Sequence, residues 1–314
     1  MEKIVFLDRG TLTVPMRKPK FAHEWTDYER TTPSETVERL EAATIAISNK
    51  VRLGPKELSE LPNLKLIAVT ATGVNNIDIE GCRKKKIAVA NVPGYAWNSV
   101  SEHVMMLMLA LRRNLPALRE GVRTGRWQAS GQAILNELPM EDLRGTVLGL
   151  VGYGEVAKAV AQLASAFGMK VLVAERKGKT PRAGRRLFDD VLREADVVSL
   201  HAPLTEETRG LIGARELALM SRTALLINTA RGDLLDEQAL AEALKAGRLG
   251  GAGIDVLSQE PPMDTHPLIA LHLPNLIVTP HVAWAGRQTQ ELLAEEVVKN
   301  MEAFMVGKSR NRVA

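Results

Sequence analysis

Thr146-Val147-Leu148-Gly149-Leu150-Val151-Gly152-Tyr153-Gly154-Glu155-Val156-Ala157 is the stretch that decides the fold. An apolar run leads into a Gly-x-Gly-x-x-Ala turn, and an alanine-rich helical pattern follows to Phe167. Each position has a physical task. Gly152 permits the tight turn. Gly154 lacks a side chain, so a pyrophosphate can approach the backbone. Ala157 lets the helix pack close to the strand. Tyr153, Glu155 and Val156 complete the turn, whose helix end offers free N–H groups and a positive dipole to phosphates.

A bare glycine turn is weak evidence, and its flanks strengthen it. A second strand, Lys170-Val171-Leu172-Val173-Ala174, ends in Glu175. That acid lies about 20 residues beyond the turn, the spacing at which an acid hydrogen-bonds an adenosine ribose. Together these features predict a dinucleotide site. Glu175 would repel a 2′-phosphate, which favours NAD over NADP, although Arg176 and Lys177 follow directly and are able to accept one.

Working outward, the same alternation of strand and helix recurs. Thr146–Val151, Lys170–Ala174, Val197–Leu200, Ala224–Asn228, Ala252–Val256 and Ile277–Thr279 read as strands. Six strands with helices between them match the two-halved dinucleotide fold. Upstream, Ile4–Leu7, Thr44–Ile47, Leu66–Val69 and Ile87–Ala90 are short apolar runs with helical patterns between them near Ser34–Ala42, Pro55–Leu61 and Asp78–Lys85. That is a second doubly wound parallel sheet. A long apolar helix begins near Asn98, with Ser99-x-x-Glu102 in the form of a capping box. Its methionines, Met105, Met106 and Met108, read as core. An amphipathic helix, Thr289–Val306, lies too far past the last strand to serve that sheet, so it is expected to return to the first domain. The expected organisation is α/β: a Rossmann NAD-binding domain, residues 98–284, inserted in a flavodoxin-like substrate domain, residues 1–97 and 285–314.

Bulk properties exclude several classes. With 314 residues, 45% apolar and 25% charged, the chain has room for about two globular domains. The net charge of +4 is spread over short clusters such as Arg83–Lys86, with few aromatics to stack on bases, so no nucleic-acid partner is expected. The longest apolar helical segment, Val104–Leu111, is too short to cross a bilayer. Cys82 is the only cysteine, so no internal disulfide forms. With no signal peptide before the first strand, a cytoplasmic protein is expected. No metal site is expected.

Ligands of open α/β sheets sit beyond the carboxyl ends of strands. There the chain places Thr229-Ala230-Arg231-Gly232, Gln259-Glu260-Pro261 and Pro280-His281-Val282-Ala283-Trp284, after three successive strands. An Arg forks onto a carboxylate. A His exchanges a hydroxyl proton near neutral pH. A carboxylate fixes that ring and favours its charged form. The set suits hydride transfer between a 2-hydroxy acid and a nicotinamide.

These motifs resemble the D-2-hydroxyacid dehydrogenase family over nearly the whole length, and within it the glycerate dehydrogenase (hydroxypyruvate reductase) group. The resemblance to that group rests on Thr70–Asp78 and His281-Val282-Ala283-Trp284-Ala285. It implies Arg231 as holder of the substrate carboxylate, His281 as acid/base and Glu260 as its partner. Thr72, Gly73, Val74 and Asn75 would grip the carboxylate through backbone N–H groups, with Trp284 beside the substrate. Asp255 would meet the nicotinamide carboxamide. Val104, His201, Ala202, Pro203, Thr208, Thr229, Ala230 and Ala283 would line the cofactor with Arg231 and His281. The implied reaction is reversible hydride transfer at C2 of hydroxypyruvate/D-glycerate or glyoxylate/glycolate. Alternatives are another acid (D-lactate-like, formate or phosphite) and a non-catalytic NAD(H)-binding regulator. A homodimer is implied, with the helix near 98–111 and its neighbours at the interface. Residues 123–143, with Trp127, read as an interface arm or a loop.

Overall fold

The computed structural model describes residues 1–135 and 139–314. The chain forms two compact units, Met1–Tyr95 with Ala285–Ala314, and Ala96–Trp284.

The first unit is built on five strands: β1 (Glu2–Phe6), β2 (His23–Asp27), β3 (Ile45–Ser48), β4 (Leu66–Val69) and β5 (Ala88–Ala90). They are all parallel, in the order β2-β1-β3-β4-β5. This is the flavodoxin-like order. Helices α1 (Thr36–Leu40), α2 (Pro55–Ser59) and α3 (Ile79–Lys85) connect the strands. Asp78 caps α3 by accepting from the Gly81 N–H at 3.0 Å. β3 and β4 are buried along their whole length, as strands covered on both faces must be. The sequence pattern missed β2, because its residues are mostly polar and it pairs only with β1 at the sheet edge. The closing helix, Arg287–Met305, packs on β4. It is tied to the N-terminal segment by the Thr13 N–H on Gln290 and by Arg17 bridging Glu295 and Glu302.

The second unit opens with α4 (Trp97–Arg112), α5 (Leu115–Arg123) and α6 (Arg126–Ser130). Next come β6 (Val147–Val151), α7 (Glu155–Ala166), β7 (Lys170–Ala174), α8 (Phe188–Glu194), β8 (Val197–Leu200) and α9 (Ala214–Leu219). β9 (Leu225–Asn228), α10 (Glu237–Lys245), β10 (Gly251–Ile254) and β11 (Leu276–Val278) complete it. The six strands are parallel, in the order β7-β6-β8-β9-β10-β11. A single parallel bridge, Ala174 to Arg186, adds the remnant of one more strand outside β7. With that remnant the first half takes the mononucleotide-binding order 3-2-1.

Side chains alternate between the two faces, as the period of a strand requires. Val197, Leu225 and Ile227 join the core under α4 and α7, with Leu107, Met108 and Val160. Val198, Leu200 and Leu226 join the opposite core, with Val191, Leu192 and Leu240. Two details differ from the sequence reading. α4 starts earlier than expected: its N-cap is Ala96, without a side-chain cap, and Ser99 already lies in the first turn. Of the three methionines, Met105 and Met108 are buried, while Met106 faces outward.

Candidate active site

The glycine turn has the shape its sequence implies. Gly152 has φ +90°, a region that side chains avoid. A Cβ there would lie 2.6 Å from the His201 carbonyl oxygen. Gly154 is the N-cap of α7 with no side-chain cap, and a Cβ there would meet nothing within 4 Å. The space beside the Gly154 backbone, at the start of α7, is therefore open. Ala157 is fully buried, which lets α7 close on α4. Beside the turn lies a cavity of about 390 Å³. Gly152, Tyr153, Glu175, Arg176, Ala202, Pro203 and Thr208 line it, all of them expected at the cofactor. Thr229 Oγ1 is buried with no hydrogen-bond partner among the described residues. An orphaned hydroxyl at a strand end suits a ligand that supplies the missing bond. The residues present thus fit a dinucleotide.

Other expected cofactor residues serve the frame. Val104 is fully buried in the core between α4 and α7. Glu155 pairs with Lys158 at 2.7 Å, Val156 packs against the same core, and Ala283 is buried. His201 lies on Ser199 Oγ at 2.9 Å, and burial pushes its ring down to about 4. Glu175 departs most from expectation. Its carboxylate is not open to a ribose but is held by Arg182 in a two-bonded fork of 2.7 Å each.

Beyond β9, β10 and β11 the three candidate catalytic residues stand on folded loops, and a hydrogen bond joins Glu260 to His281. Asn228, last in β9, folds the turn by accepting from the Ala230 N–H and donating to the Arg231 carbonyl. Gly232 passes so close to Leu257 that any Cβ would collide with its backbone. The half-buried Arg231 guanidinium donates to the Ala230 carbonyl at 2.6 Å. It has no carboxylate partner among the described residues, which leaves a fixed cation for an anion.

Glu260 Oε1 accepts from the Leu257 N–H at 3.0 Å, and Oε2 lies 2.5 Å from His281 Nδ1. The ring is thereby oriented through Nδ1. His281 has φ +55°, a sparsely populated conformation for a residue other than glycine. Its N–H is held by the Asp255 and Thr279 carbonyls.

Asp255 is what over-determines that bend. Its buried carboxylate accepts from the Thr279 hydroxyl at 2.6 Å and from the Val282 and Ala283 N–H groups at 2.9 and 3.0 Å. Trp284 Nε1 donates to the His281 carbonyl, closing the loop. Sequence reasoning missed two members of this network. Thr279 links Asp255 to His103 of α4, whose Nε2 lies 3.0 Å from the Thr279 hydroxyl. Burial lowers the affinity of His103 for a proton, against the opposing pull of Asp255. The available signal was an imidazole inside an otherwise apolar helical run.

The expected substrate loop, Thr72–Asn75, follows β4 of the first unit. Thr72 is fixed by its hydroxyl on the Val92 carbonyl and by Asn91 Nδ2 on its own carbonyl. The Gly73, Val74 and Asn75 N–H groups donate to no protein acceptor among the described residues. Those residues also contain no cluster of side chains able to hold a metal ion, and no helix long and apolar enough to cross a membrane.

A parallel sheet that ends in an anion-ready arginine and a carboxylate-paired imidazole, beside a pyrophosphate turn, belongs to an NAD-dependent oxidoreductase acting on CH–OH groups. Residues 105–283 match the D-isomer specific 2-hydroxyacid dehydrogenase, NAD binding domain, family. Glycerate dehydrogenase of Methylorubrum extorquens is 48% identical, over 99% of this chain and 99% of its own. The crystal structure of TT0316 protein from Thermus thermophilus superposes with a TM-score of 0.86 at 35% identity, covering 99% of this chain and 100% of that one. D-Lactate dehydrogenase from Aquifex aeolicus, complexed with NAD and lactic acid, does so with a TM-score of 0.80 at 29% identity, over 97% and 96%. The chain belongs to the D-2-hydroxyacid dehydrogenase family.

Proposed function

We propose that within this family the chain acts on a small polar 2-oxo acid, hydroxypyruvate or glyoxylate, reducing it to the 2-hydroxy acid. The observation that carries the residue roles is the pairing of Glu260 with His281 Nδ1 at 2.5 Å, on the same sheet edge as an Arg231 without a carboxylate partner among the described residues. Similarity to glycerate dehydrogenase supports the choice of acid.

The bound cofactor supplies hydride exchange at carbon 2 of the acid. Arg231 holds the substrate carboxylate and polarises the carbonyl oxygen beside it. In the first unit, the unbonded N–H groups of Gly73, Val74 and Asn75 are donors that suit an anion. His281 delivers a proton from Nε2 to the carbonyl oxygen during reduction and accepts one from the hydroxyl during oxidation. Glu260 stabilises the imidazolium and fixes which nitrogen faces the substrate. Asp255 holds the His281 bend, and a carboxamide of the cofactor would meet the same loop.

The test is oxidation of NADH followed by its near-ultraviolet absorbance with a panel of 2-oxo acids. Hydroxypyruvate and glyoxylate are expected to lead pyruvate in kcat/KM by about 10-fold or more, the scale of one added or lost polar contact. A panel led by pyruvate would overturn the choice of acid. Tight NADH binding without turnover of any acid would point to a regulator instead.

We also propose a cytoplasmic homodimer. The single cysteine, buried with its thiol pushed up to about 11, suits a reducing compartment. Apolar side chains exposed on and after α5 suit a second copy. Residues 123–143 carry part of that surface, and positions 136–138 lie outside the described residues.

A further inference from the structure

The stretch 258–265, which carries Glu260, is exposed along its whole length, while Leu257 before it and His266 after it are buried. A loop of that kind has few packed contacts of its own to fix its course. One carboxylate joins its two ends. Glu237 Oε1 accepts from the Ser258 N–H at 2.9 Å, and Oε2 accepts from the Ser258 hydroxyl. Oε2 also lies 3.0 Å from His266 Nε2. His266 Nδ1 accepts from the Leu268 N–H at 3.3 Å, so the ring proton sits on Nε2 and is donated to Glu237. The Glu237 and His266 side chains are 8% and 7% exposed, and a carboxylate buried to that degree persists because both of its oxygens are hydrogen-bonded.

Glu237 stands where that set of bonds is held still. It is the first residue of α10, whose N-cap Asp236 accepts from the Ala239 N–H at 3.0 Å. A carboxylate in the first turn is favoured by the helix dipole. The peptide that Glu237 grips is also the one on which Gly232 packs, so the residue after Arg231 and the entry to the loop share one contact. From there the path to the acid/base pair is short. The Leu257 N–H holds Glu260 Oε1 at 3.0 Å, and Glu260 Oε2 meets His281 Nδ1. Pro261 and Pro262 follow Glu260 with fixed φ, so a shift at the base of the loop is carried to Glu260 rather than absorbed beside it.

We propose that Glu237 is a positioning residue for the acid/base pair. By joining Ser258 to His266 it closes the base of the 258–265 loop and fixes where Glu260 stands against the His281 ring. His266 is the second member of this clamp, since its Nε2 proton holds the carboxylate from the far end of the loop. Both residues act through Glu260. The inference rests on the roles assigned above to Glu260 and His281, and adds the device that keeps the two in register.

Steady-state kinetics of the whole protein, with the 2-oxo acid that leads the panel, test it. Glu237→Ala is expected to lower kcat about 10- to 100-fold, the scale of a displacement of about 1 Å at a reacting group. The NADH Kd should stay within about 2-fold of the parent, because the glycine turn shares no partner with the clamp. His266→Ala should lower kcat about 10-fold. His266→Gln, whose amide keeps a donor near the Nε2 position, should recover most of that loss. This pair keeps the test intact should Glu237→Ala not fold, and far-ultraviolet circular dichroism shows which variants do. Coupling is the decisive readout. Glu260→Gln removes the carboxylate that the clamp presents, so adding Glu237→Ala or His266→Ala to it should change kcat by less than about 2-fold. Losses that multiply in the double variants would overturn the proposal, since they would mark a general structural effect. So would equal losses in His266→Ala and His266→Gln. A slow Glu260→Gln protein beside an undiminished Glu237→Ala protein would remove the proposal alone. A Glu260→Gln protein as fast as the parent would remove the proposal together with the acid/base roles on which it rests.

Discussion

His281 is held in a left-handed bend by bonds to the Asp255 and Thr279 backbone and by the Asp255 carboxylate under Val282 and Ala283. Such a conformation costs on the order of 1–3 kcal/mol and persists because the loop leaves no alternative. The bend aims the ring at Glu260, so the backbone of one residue fixes which ring nitrogen that carboxylate meets. His281→Ala is expected to lower kcat with hydroxypyruvate about 10²- to 10⁴-fold, with a smaller effect on the Kd for NADH. Arg231→Ala is expected to act mainly on kcat/KM. Unchanged rates in both variants would remove the assigned roles. A second residue-scale prediction concerns acid. Burial lowers His201 from 6.5 to about 4 in the folded chain. Between those values the unfolded chain binds more protons, so stability present above about 6.5 is lost as pH falls towards 4. The contribution of His201 is at most about 3 kcal/mol. Urea midpoints measured from neutral pH down to about pH 4 should fall, and His201→Gln should flatten that dependence. An equal slope in the variant would show that other groups carry it.

The glycine turn shows how one element combines two requirements that a substitution can separate. Gly152→Ala puts a Cβ 2.6 Å from the His201 carbonyl at φ +90°, and is expected to destabilise the protein by about 2–4 kcal/mol. Gly154 meets neither strain nor contact, so Gly154→Ala should stay within about 1 kcal/mol of the parent. The new methyl occupies the approach to the α7 N-terminus, and the NADH Kd should rise about 10-fold or more. Thermal melts and NADH fluorescence titrations on the pair distinguish the two effects. If G154A instead melted far below the parent, the turn would be structural alone. Features of this kind are legible in sequence because the constraint is local. A strand buried on both faces must be a largely apolar run, as in β3, β4, β8 and β9, where only Ser48, Ser199 and Asn228 are polar. A residue that ends such a strand, as Arg231, Glu260 and His281 nearly do, is brought to the edge by that fact. The polar edge strand β2 left no such trace, since its order comes from pairing with β1. Glu175 was visible, but its partner Arg182 was not, because a turn of seven residues must fold back before the pair exists. His103 belonged to an apolar helix by pattern. Only the packing of α4 against the β11 end shows that its ring reaches Thr279.

At the scale of the whole molecule, the second unit keeps an apolar surface that its own core does not use. Leu115 and Val122 of α5 are 56% and 48% exposed, and Trp127 and Ile134 beyond it are 41% and 72% exposed. Leu115, Leu118 and Val122 recur at helical spacing, and with Leu115 and Val122 exposed and Leu118 half-buried one face of α5 is apolar and only partly covered. α5 also carries the charged residues Arg119, Glu120 and Arg123, with an Arg123–Glu120 ion pair. Soluble monomers rarely leave contiguous apolar patches of more than a few hundred Å² open to water. A stable dimer buries about 800 Å² on each partner, which a helix face and its following arm can supply. A second copy is self-complementary on such a surface, because a two-fold axis brings the same apolar face to itself. Sedimentation velocity at micromolar concentration should therefore give a species of twice 34.3 kDa. The double variant V122E/I134E places two carboxylates on that face, where desolvation opposes burial, and should shift the boundary to the monomer while leaving the circular dichroism intact. A parent protein that sediments as a monomer would remove the dimer. A variant that stays dimeric would move the interface to another face.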